Sequence, residues 1–533
     1  MISRRLFLGA AASLASAAER IENAGGVLRM AIHSDPKTLD PLEVSEEVGQ
    51  LVRYLTAGAL WRSNRRKLRV EPELAASWKV LDGGRKAVIE LRPGVKFSDG
   101  SPLEVEDVAA TFARVFDAKR VAPVGEVLAG MAGSVRATAS GKHSLTLAFA
   151  NPVPGIERVL DGFPVVSRDR ANRAVLGAFV IDDAKPGSHV RLRRNAHYFR
   201  RDASGRALPY LDGIQLDISQ SRDLELVRFG RGELHAITQV SPDAFERLKR
   251  DNPAAARDAG PSFDWEMLWF NQAAQSPIAP YRKEWFASRE FRRALSDAVN
   301  RADMARLVYR GYATAAATSI SPANKAWANA KLRPHAYDPK AALARLTAAG
   351  FRYDGSALRD KAGRAVEFSV VTPASSKTRP RIAALIQQDL AKIGIKLNVV
   401  TLDFPSLIER ISRTFDYDSC LLGLTNVDPD FDNQANVWLS SASQHGWAPN
   451  QTKPATEWEG EVDRLVRAQA ATGDMAKRKA AVDRIQEIAQ EQSPALFLLH
   501  PNALCAVSPG VSNADPVPFQ PRVLWNAEQL RVS

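Results

Sequence analysis

The chain of 533 residues contains only two cysteines, Cys420 and Cys505. This scarcity excludes a disulfide-stapled scaffold and any metal site built from four cysteines. The two cysteines are too far apart in the sequence for a CxxC redox motif or a close metal-ligand pair, so a disulfide and two separate buried thiols both remain open. The chain also has no uninterrupted apolar run of about 18 residues, which excludes a polytopic membrane protein.

The motifs of common catalytic and nucleotide-binding classes are missing as well. The sequence has no G-x-S-x-G nucleophile elbow, no H-E-x-x-H zinc helix, no G-x-x-x-x-G-K-[ST] phosphate loop and no G-x-G-x-x-G fingerprint. Its eight histidines are scattered, and no two have the i, i+4 spacing of a helical metal site. We therefore expect no cofactor, no metal and no catalytic residue, which favours a binding protein over an enzyme.

What is present is an ordinary globular composition with a basic excess. Lys and Arg number 72 against 60 Asp and Glu, a formal charge of +12. The densest basic segment, 62–69, is short and contains no aromatic residue, whereas a nucleic-acid footprint is clustered. We expect no nucleic-acid partner. Apolar residues make up 45%, and the length is that of three or four domain-sized units of about 150 residues.

The first 17 residues have the features of an export signal. Ser3-Arg4-Arg5-Leu6-Phe7-Leu8 resembles the twin-arginine signal S-R-R-x-F-L, a short apolar run follows, and Ala15-Ser16-Ala17 is an A-x-A cleavage site. The sequence therefore predicts a twin-arginine-type signal peptide over 1–17 and a periplasmic mature protein. A twin-arginine-exported enzyme is the alternative from a different functional class, because such substrates often carry cofactors.

Hydrophobic periodicity predicts alternating strands and helices, and hence an α/β protein. Two different patterns recur, alternation for strands and a 3.6-residue period for helices. Strands are expected at 27–33, 87–91, 95–97, 144–148, 177–181, 189–192, 214–218, 267–271, 395–399, 417–424 and 495–499. Helices are expected at 49–61, from Val105, and around 291–299, 382–393 and 481–489.

The densest acidic cluster is Asp428-Pro429-Asp430-Phe431-Asp432. Its oxygen spacing is compatible with a calcium loop or a carboxylate pair. The glycine of an EF-hand loop is absent, however, and Pro429 and Phe431 interrupt the pattern. A polar loop after a strand is the favoured interpretation.

Several segments together resemble one protein family. They are LDP at 39–41, PELAASW at 72–78, LRPGVKFSDGSPL at 91–103, EDV at 106–108, RNAHYF at 194–199, LPYLDGI at 208–214 and FRRAL at 291–295. The chain resembles the peptide/nickel-type solute-binding proteins of ABC importers, extracellular solute-binding protein family 5, from about residue 27 to 505. The L-R-x-G-V-x-F-x-D-G block is the most specific of these segments.

This resemblance implies a two-lobed periplasmic-binding-protein fold of the large type, with an extra subdomain in the first lobe. The expected first lobe comprises 27–62, 165–262 and 500–533, its extra subdomain 63–164, and the second lobe 263–499. The implied function is the substrate-binding component of an ABC importer, which captures a peptide or peptide-like solute by hinge closure. The implied partners are that solute, a permease and its ATPase subunits, and the protein is expected to be a monomer.

The resemblance also directs attention to the ligand. Peptide-binding members hold the peptide's amino group with an Asp four residues before a proline; here that proline is Pro429, and Thr425 occupies the Asp position. A threonine cannot compensate a buried ammonium group. A non-peptide organic solute such as an oligosaccharide is therefore the alternative ligand, and a nickel chelate the third. Two tryptophans and several amides near 445–459 suit stacking on such a solute, and a role in covering one lobe is the alternative that stays open. The candidate ligand-binding residues are Asp35, Asn271, Thr425, Asp428, Asp430, Trp438 and Trp447.

Overall fold

The computed structural model describes residues 25–117, 119–425 and 427–533. The predicted signal peptide, with Arg4 and Arg5, lies outside the described residues. The described chain forms two compact units. Unit 1 comprises 25–240, Leu248–Arg257 and Cys505–Ser533, and unit 2 comprises Ser241–Arg247 and Asp258–Leu504. The chain therefore passes between the units after residues 240, 247, 257 and 504, whereas the sequence places the boundaries after 262 and 499.

The main sheet of unit 1 surrounds a parallel pair of strands, Val27–Ile32 and Gly213–Ile218, with Val27 opposite Gly213. The order of its strands is Phe179–Lys185, His189–Arg194, Gly213–Ile218, Val27–Ile32, Ala236–Ile237 and the last residues of Ala495–Val507. Helices Glu47–Thr56 and Arg222–Gly230 belong to this part of unit 1. Its core contains Leu28, Met30, Ile214 and Leu216, the inward residues of the parallel pair.

A second sheet of unit 1 is antiparallel and has its own core. Its order is Ala75–Leu81, Lys86–Leu91, Ser144–Phe149 and Val135–Ala139. The helix Val105–Val115 packs on it through Val108 and Phe112, which contribute to the same core as Ile89 and Leu147. The remaining elements are short: helices Glu126–Ala132 and Ile156–Val159, and strand pairs Gly58–Ala59 with Pro164–Val165, Trp61–Asn64 with Arg69–Pro72, Phe116–Asp117 with Arg120–Val121, and Val511–Ser512 with Arg531–Val532.

Unit 2 has a mixed sheet covered by helices. Its order is the first part of Ala495–Val507, then Trp265–Phe270, Ser419–Leu424, Glu367–Pro373 and Lys396–Leu402, and Ala313–Ala315 also pairs with Ala495–Val507. Short strands Arg352–Tyr353 and Leu358–Arg359 pair outside this sheet. The helices are Pro280–Ala287, Arg289–Ala298, Arg301–Asp303, Pro339–Ala348, Arg379–Ala391, Phe404–Glu409, Ala435–Trp438, Glu457–Ala470 and Met475–Gln492. The chain passes from one unit to the other within two elements, the helix Pro242–Asp251 and the strand Ala256–Pro261.

The predicted α/β class is confirmed, with three local corrections. The helix expected over 49–61 covers Glu47–Thr56, because Ala57 is extended and Gly58–Ala59 pairs with Pro164–Val165. The strand expected at 95–97 is only an isolated bridge between Lys96 and Pro102. The last strand does not stop at Leu499 but continues to Val507. Cys420 and Cys505 are two buried thiols that are not joined in a disulfide.

Candidate functional site

The loop after the strand Ser419–Leu424 contains three of the predicted ligand-binding residues. Thr425 is exposed and follows the strand directly. The Asp428 carboxylate accepts a hydrogen bond from the Asp430 backbone N–H at 3.2 Å. Asp430 in turn caps the short 3-10 turn Phe431–Gln434 by accepting from the Asp432 N–H at 3.0 Å. The two aspartates are therefore joined in one turn, and Thr425 is left facing solvent at its start.

A buried arginine binds the far end of this loop. Nη2 of Arg478 lies 3.0 Å from Oδ1 of Asp430 and 2.8 Å from Oδ2 of Asp432, and Arg478 is fully buried. Its guanidinium also lies 4.7 Å from the ring centre of Trp327, and its Nε donates to Gln469 at 3.0 Å. The charge of Asp430 is thus compensated inside unit 2. This agrees with the polar-loop interpretation of the acidic cluster.

Asn271 is fully buried at the end of the strand Trp265–Phe270. Its Nδ2 donates to the carbonyl oxygens of Phe415 and Tyr417, each at 2.8 Å, and also contacts Ser276 Oγ at 3.0 Å. Its Oδ1 accepts from the Ala273 N–H at 3.2 Å. These bonds tie the strand end to the segment before Ser419–Leu424. This placement favours a structural role over contact with a solute.

Trp438 and Trp447 pack against each other inside unit 2. Their ring centres are 6.3 Å apart, and each residue is 1% exposed. The Trp447 indole N–H donates to Glu459 at 3.3 Å. Because neither ring has an open face, this placement favours internal packing over stacking on a sugar.

Glu459 is the polar centre of this aromatic cluster. It accepts hydrogen bonds from His445 at 3.2 Å, Gln451 at 2.9 Å and Thr456 Oγ at 2.8 Å. Burial by itself raises the pKa of Glu459, but these hydrogen bonds outweigh burial and bring the pKa to about 2. The carboxylate is therefore held ionised in the interior of unit 2.

Asp35, the remaining candidate, lies at a large cavity in unit 1. The cavity has a volume of about 920 Å³ and is lined by the loop 35–41, the segment 165–175 and the hairpin Phe179–Arg194. The Asp35 carboxylate accepts hydrogen bonds from the Gly187 N–H at 2.8 and 3.1 Å, and so joins the loop to the hairpin turn. This volume falls in the range of small-molecule sites.

The Ser98-Asp99-Gly100 turn holds one wall of the cavity. Asp99 accepts from the hydroxyl and N–H of Ser101 at 2.6 and 2.9 Å and from Asn172 Nδ2 at 2.9 Å. Ser98 and Val175 exchange two further hydrogen bonds, at 2.9 and 3.1 Å. The bonds to Ser101 hold the pKa of Asp99 below its usual value. This turn therefore anchors the segment that carries Arg170 and Arg173.

The structure divides the predicted residues between the two units. Asp35 lies in unit 1, and the other six lie in unit 2, where Asp428 contacts Asp430 and Trp438 contacts Trp447. Sequence reasoning missed Arg478 and the cavity cations Lys37, Arg170, Arg173 and Lys185. No local pattern distinguishes these basic residues from the many others in the chain.

Within 25–117, 119–425 and 427–533, no three His, Cys, Asp or Glu side chains are grouped so that they could hold a metal ion. No helix in the same part of the chain has the length and apolar character needed to cross a membrane.

The chain is similar over most of its length to known binding proteins. The chain is 25% identical over 528 residues to a probable ABC transporter-binding protein of Deinococcus radiodurans, covering 89% of this chain and 86% of that protein. It is 23% identical over 537 residues to the oligopeptide-binding protein AppA of Bacillus subtilis, covering 95% and 91%. The structure of NikA from Brucella suis in complex with Fe(III)-EDTA superposes with a TM-score of 0.80 at 19% identity, covering 95% and 99%.

These likenesses confirm the periplasmic-binding-protein fold predicted from the sequence. The family model described as "Bacterial extracellular solute-binding proteins, family 5 Middle" matches residues 69–446, well over half of the chain. The proteins of this family bind substrates for transport, and the chain is the substrate-binding component of an ABC importer. The chain belongs to the family 5 bacterial extracellular solute-binding proteins.

Proposed function

We propose that this importer component captures peptides or peptide-like solutes and closes around them by hinge motion. The observation that carries the proposal is the similarity over nearly the whole chain to an oligopeptide-binding protein. The unit 1 cavity of about 920 Å³ supports it, because this volume accommodates a short peptide. Delivery of the solute to a membrane permease driven by ATPase subunits follows from membership of an ABC importer.

Hinge closure is tested by small-angle X-ray scattering with and without a mixture of di- to pentapeptides. Closure reduces the radius of gyration when a solute binds. A contraction with peptides supports the proposal. Binding without any contraction would contradict the hinge mechanism, and a failure of all peptides to bind would contradict the ligand class.

Thr425 provides a sharper test of how a peptide is held. It is exposed at the start of the acidic loop, and Asp430 is already paired with Arg478. If the site is shaped for peptides, Thr425→Asp adds a carboxylate for the peptide's amino group and increases peptide affinity. The matched control is Thr425→Asn, which is similar in size but uncharged. A gain with Asp alone supports peptide binding, whereas no gain favours an organic solute such as an oligosaccharide.

We also propose export through the twin-arginine pathway and a periplasmic, monomeric mature protein. The support is the S-R-R-x-F-L segment with Arg4 and Arg5, followed by A-x-A. Conversion of Arg4 and Arg5 to lysine keeps the charge but removes the pair, and should retain the precursor in the cytoplasm. Export of that variant at the normal rate would contradict the route.

A non-enzymatic role is part of the proposal. The family consists of substrate-binding proteins, and the sequence has no nucleophile elbow and no H-E-x-x-H zinc helix. An absorption spectrum of the purified protein separates this role from that of an exported cofactor enzyme. A haem or flavin band would contradict it.

A further inference from the structure

The unit 1 cavity has an unusual concentration of positive charge. Five of its lining side chains are basic and two are acidic, apart from a single histidine. Four of the basic residues are exposed: Lys37, Arg170, Arg173 and Lys185. Within the described parts of the chain, none of these four forms an ion pair or a side-chain hydrogen bond. Their charges are therefore available to a ligand.

The two acidic residues offset only part of this charge, because five basic side chains stand against two carboxylates. Asp40 lies 3.9 Å from Arg114, the fifth basic residue of the cavity. Asp35 uses its carboxylate to accept two hydrogen bonds from the Gly187 N–H. Like charges gathered around a concave surface with low-dielectric walls increase the local concentration of counter-ions. The cavity consequently favours an anion.

The interior of the same cavity is largely apolar. Val166, Val180 and Ile181 line it and are half-buried, so part of each side chain faces the cavity. Apolar solute atoms placed against these side chains would gain the free energy of leaving water. A small inorganic anion would leave this surface unused, so the lining suits an apolar body that carries an anionic group.

The cations stand on segments that are fixed in place. Lys37 donates its backbone N–H to Glu46 at 3.2 Å, and Glu46 also caps the helix Glu47–Thr56. The segment of Arg170 and Arg173 is held by Asn172 on Asp99 at 2.9 Å, and Lys185 ends the strand Phe179–Lys185 beside the turn bound by Asp35. Fixed backbone reduces the entropy lost when a ligand binds.

We propose that this cavity binds the carboxylate of a solute that has an apolar body, with Lys37, Arg170, Arg173 and Lys185 providing the positive charge. The inference rests on the proposed function, since it names the chemical class of the solute. It assigns recognition of the anionic end of the solute to unit 1.

The test uses two pairs of probes that differ only in the carboxylate. The peptide pair is trileucine and trileucine amide, and the other pair is 4-phenylbutanoate and 4-phenylbutanamide. Affinities are measured by isothermal titration calorimetry with the mature protein. We expect each carboxylate to bind about tenfold or more tightly than its amide, as for a charge-assisted hydrogen bond. High ionic strength should reduce this preference.

The variant Lys37→Gln/Arg173→Gln should abolish most of the preference. The matched control is Lys79→Gln/Arg136→Gln, which removes two exposed positive charges of unit 1 outside the cavity lining. In this control, the preference for the carboxylate over the amide should stay at the wild-type value. Because all four residues are exposed, both variants should fold, and thermal unfolding checks this.

The outcomes separate the inference from the proposed function. If trileucine and its amide bind equally well, the inference is overturned and peptide capture stands. If the carboxylate preference appears only with 4-phenylbutanoate and no peptide binds, the inference stands and the peptide class is overturned. An equal loss of preference in the cavity variant and the control would overturn the assignment to this cavity.

Discussion

Nη2 of Arg478 lies 2.8 Å from Oδ2 of Asp432, and the same nitrogen lies 3.0 Å from Asp430. The arginine has no exposed surface, whereas the two carboxylates are 11% and 14% exposed. This cation fastens the loop after Ser419–Leu424 to the helix Met475–Gln492. The acidic cluster is thereby a structural element of unit 2.

Removal of Arg478 should strongly destabilise unit 2. In Arg478→Met, two poorly exposed carboxylates lose their counter-charge, which should lower the free energy of unfolding by about 3–5 kcal/mol. Arg478→Lys should recover only part of this free energy, because an ammonium group lacks the planar set of N–H donors with which a guanidinium binds carboxylates. Urea unfolding measures the change. Arg464→Met, an exposed control on the helix Glu457–Ala470, should remain within about 0.5 kcal/mol of wild type. A wild-type stability for Arg478→Met would refute the role of this pair.

Glu459 should stabilise the protein in a manner that depends on pH. Its pKa is about 2 in the folded chain against an ordinary 4.5, so the stabilisation is complete above pH 4.5 and is lost as the pH falls towards 2. Glu459→Gln should therefore cost about 3 kcal/mol at neutral pH and progressively less in acid. The free energy of unfolding of both proteins between pH 3 and 7, from urea titrations, checks this. A cost that does not change with pH would contradict the assigned pKa.

Glu225 should make the stability of the protein depend on pH in the direction opposite to that of Glu459. Burial, the largest effect, raises its pKa to about 7, although Arg222 and Arg228 act in the other direction. Its carboxylate faces His33 at 3.7 Å, and burial lowers the pKa of that histidine. Because the folded-state pKa lies above the ordinary 4.5, the associated stability is present below pH 4.5 and is lost as the pH rises through 7.

Glu225→Gln removes this titration. Relative to wild type, the variant should gain stability as the pH rises from 4.5 to 7, by at most about 3 kcal/mol. Thermal unfolding across that range provides the measurement. The control is Glu233→Gln, an exposed residue of the same unit, which should show no comparable gain. A difference that falls with rising pH would show that Glu225 is ionised in the folded state.

The two cysteines should remain reduced in the native protein. Cys420 and Cys505 are both buried and form no disulfide, and burial raises the pKa of the Cys420 thiol. A thiol of raised pKa reacts slowly, because the thiolate is the nucleophile. Ellman's reagent should detect almost no thiol in the folded protein and two per chain in guanidinium chloride without reductant. Detection of none after unfolding would indicate a disulfide.

The core elements of the fold could be predicted from the sequence because their periodicity is local. Val105, Val108 and Phe112 recur with helical spacing and are buried on one face of Val105–Val115. The end of the helix that begins at Glu47 cannot be predicted in this way. It lies at Thr56 because Gly58–Ala59 pairs with the distant strand Pro164–Val165. Such pairing leaves no trace in the local pattern.

The candidate site was less predictable for the same reason. Arg478 lies 46 residues from Asp432, and its function exists only when the helix and the loop meet. Likewise, nothing in the sequence around Lys37 and Arg173 marks them as site residues. The fold brings them to the lining of the same cavity. The chemistry of Trp438 and Trp447 suits both a ligand platform and a protein interior, and only their burial distinguishes the two roles.

The most direct test of peptide capture is native mass spectrometry of the mature protein. The ligand-free protein is incubated with a peptide digest, separated from unbound peptides and weighed before and after denaturation. Peptide capture predicts a native mass above the denatured mass, with the excess released as a series of peptide masses. Identical native and denatured masses would contradict peptide capture.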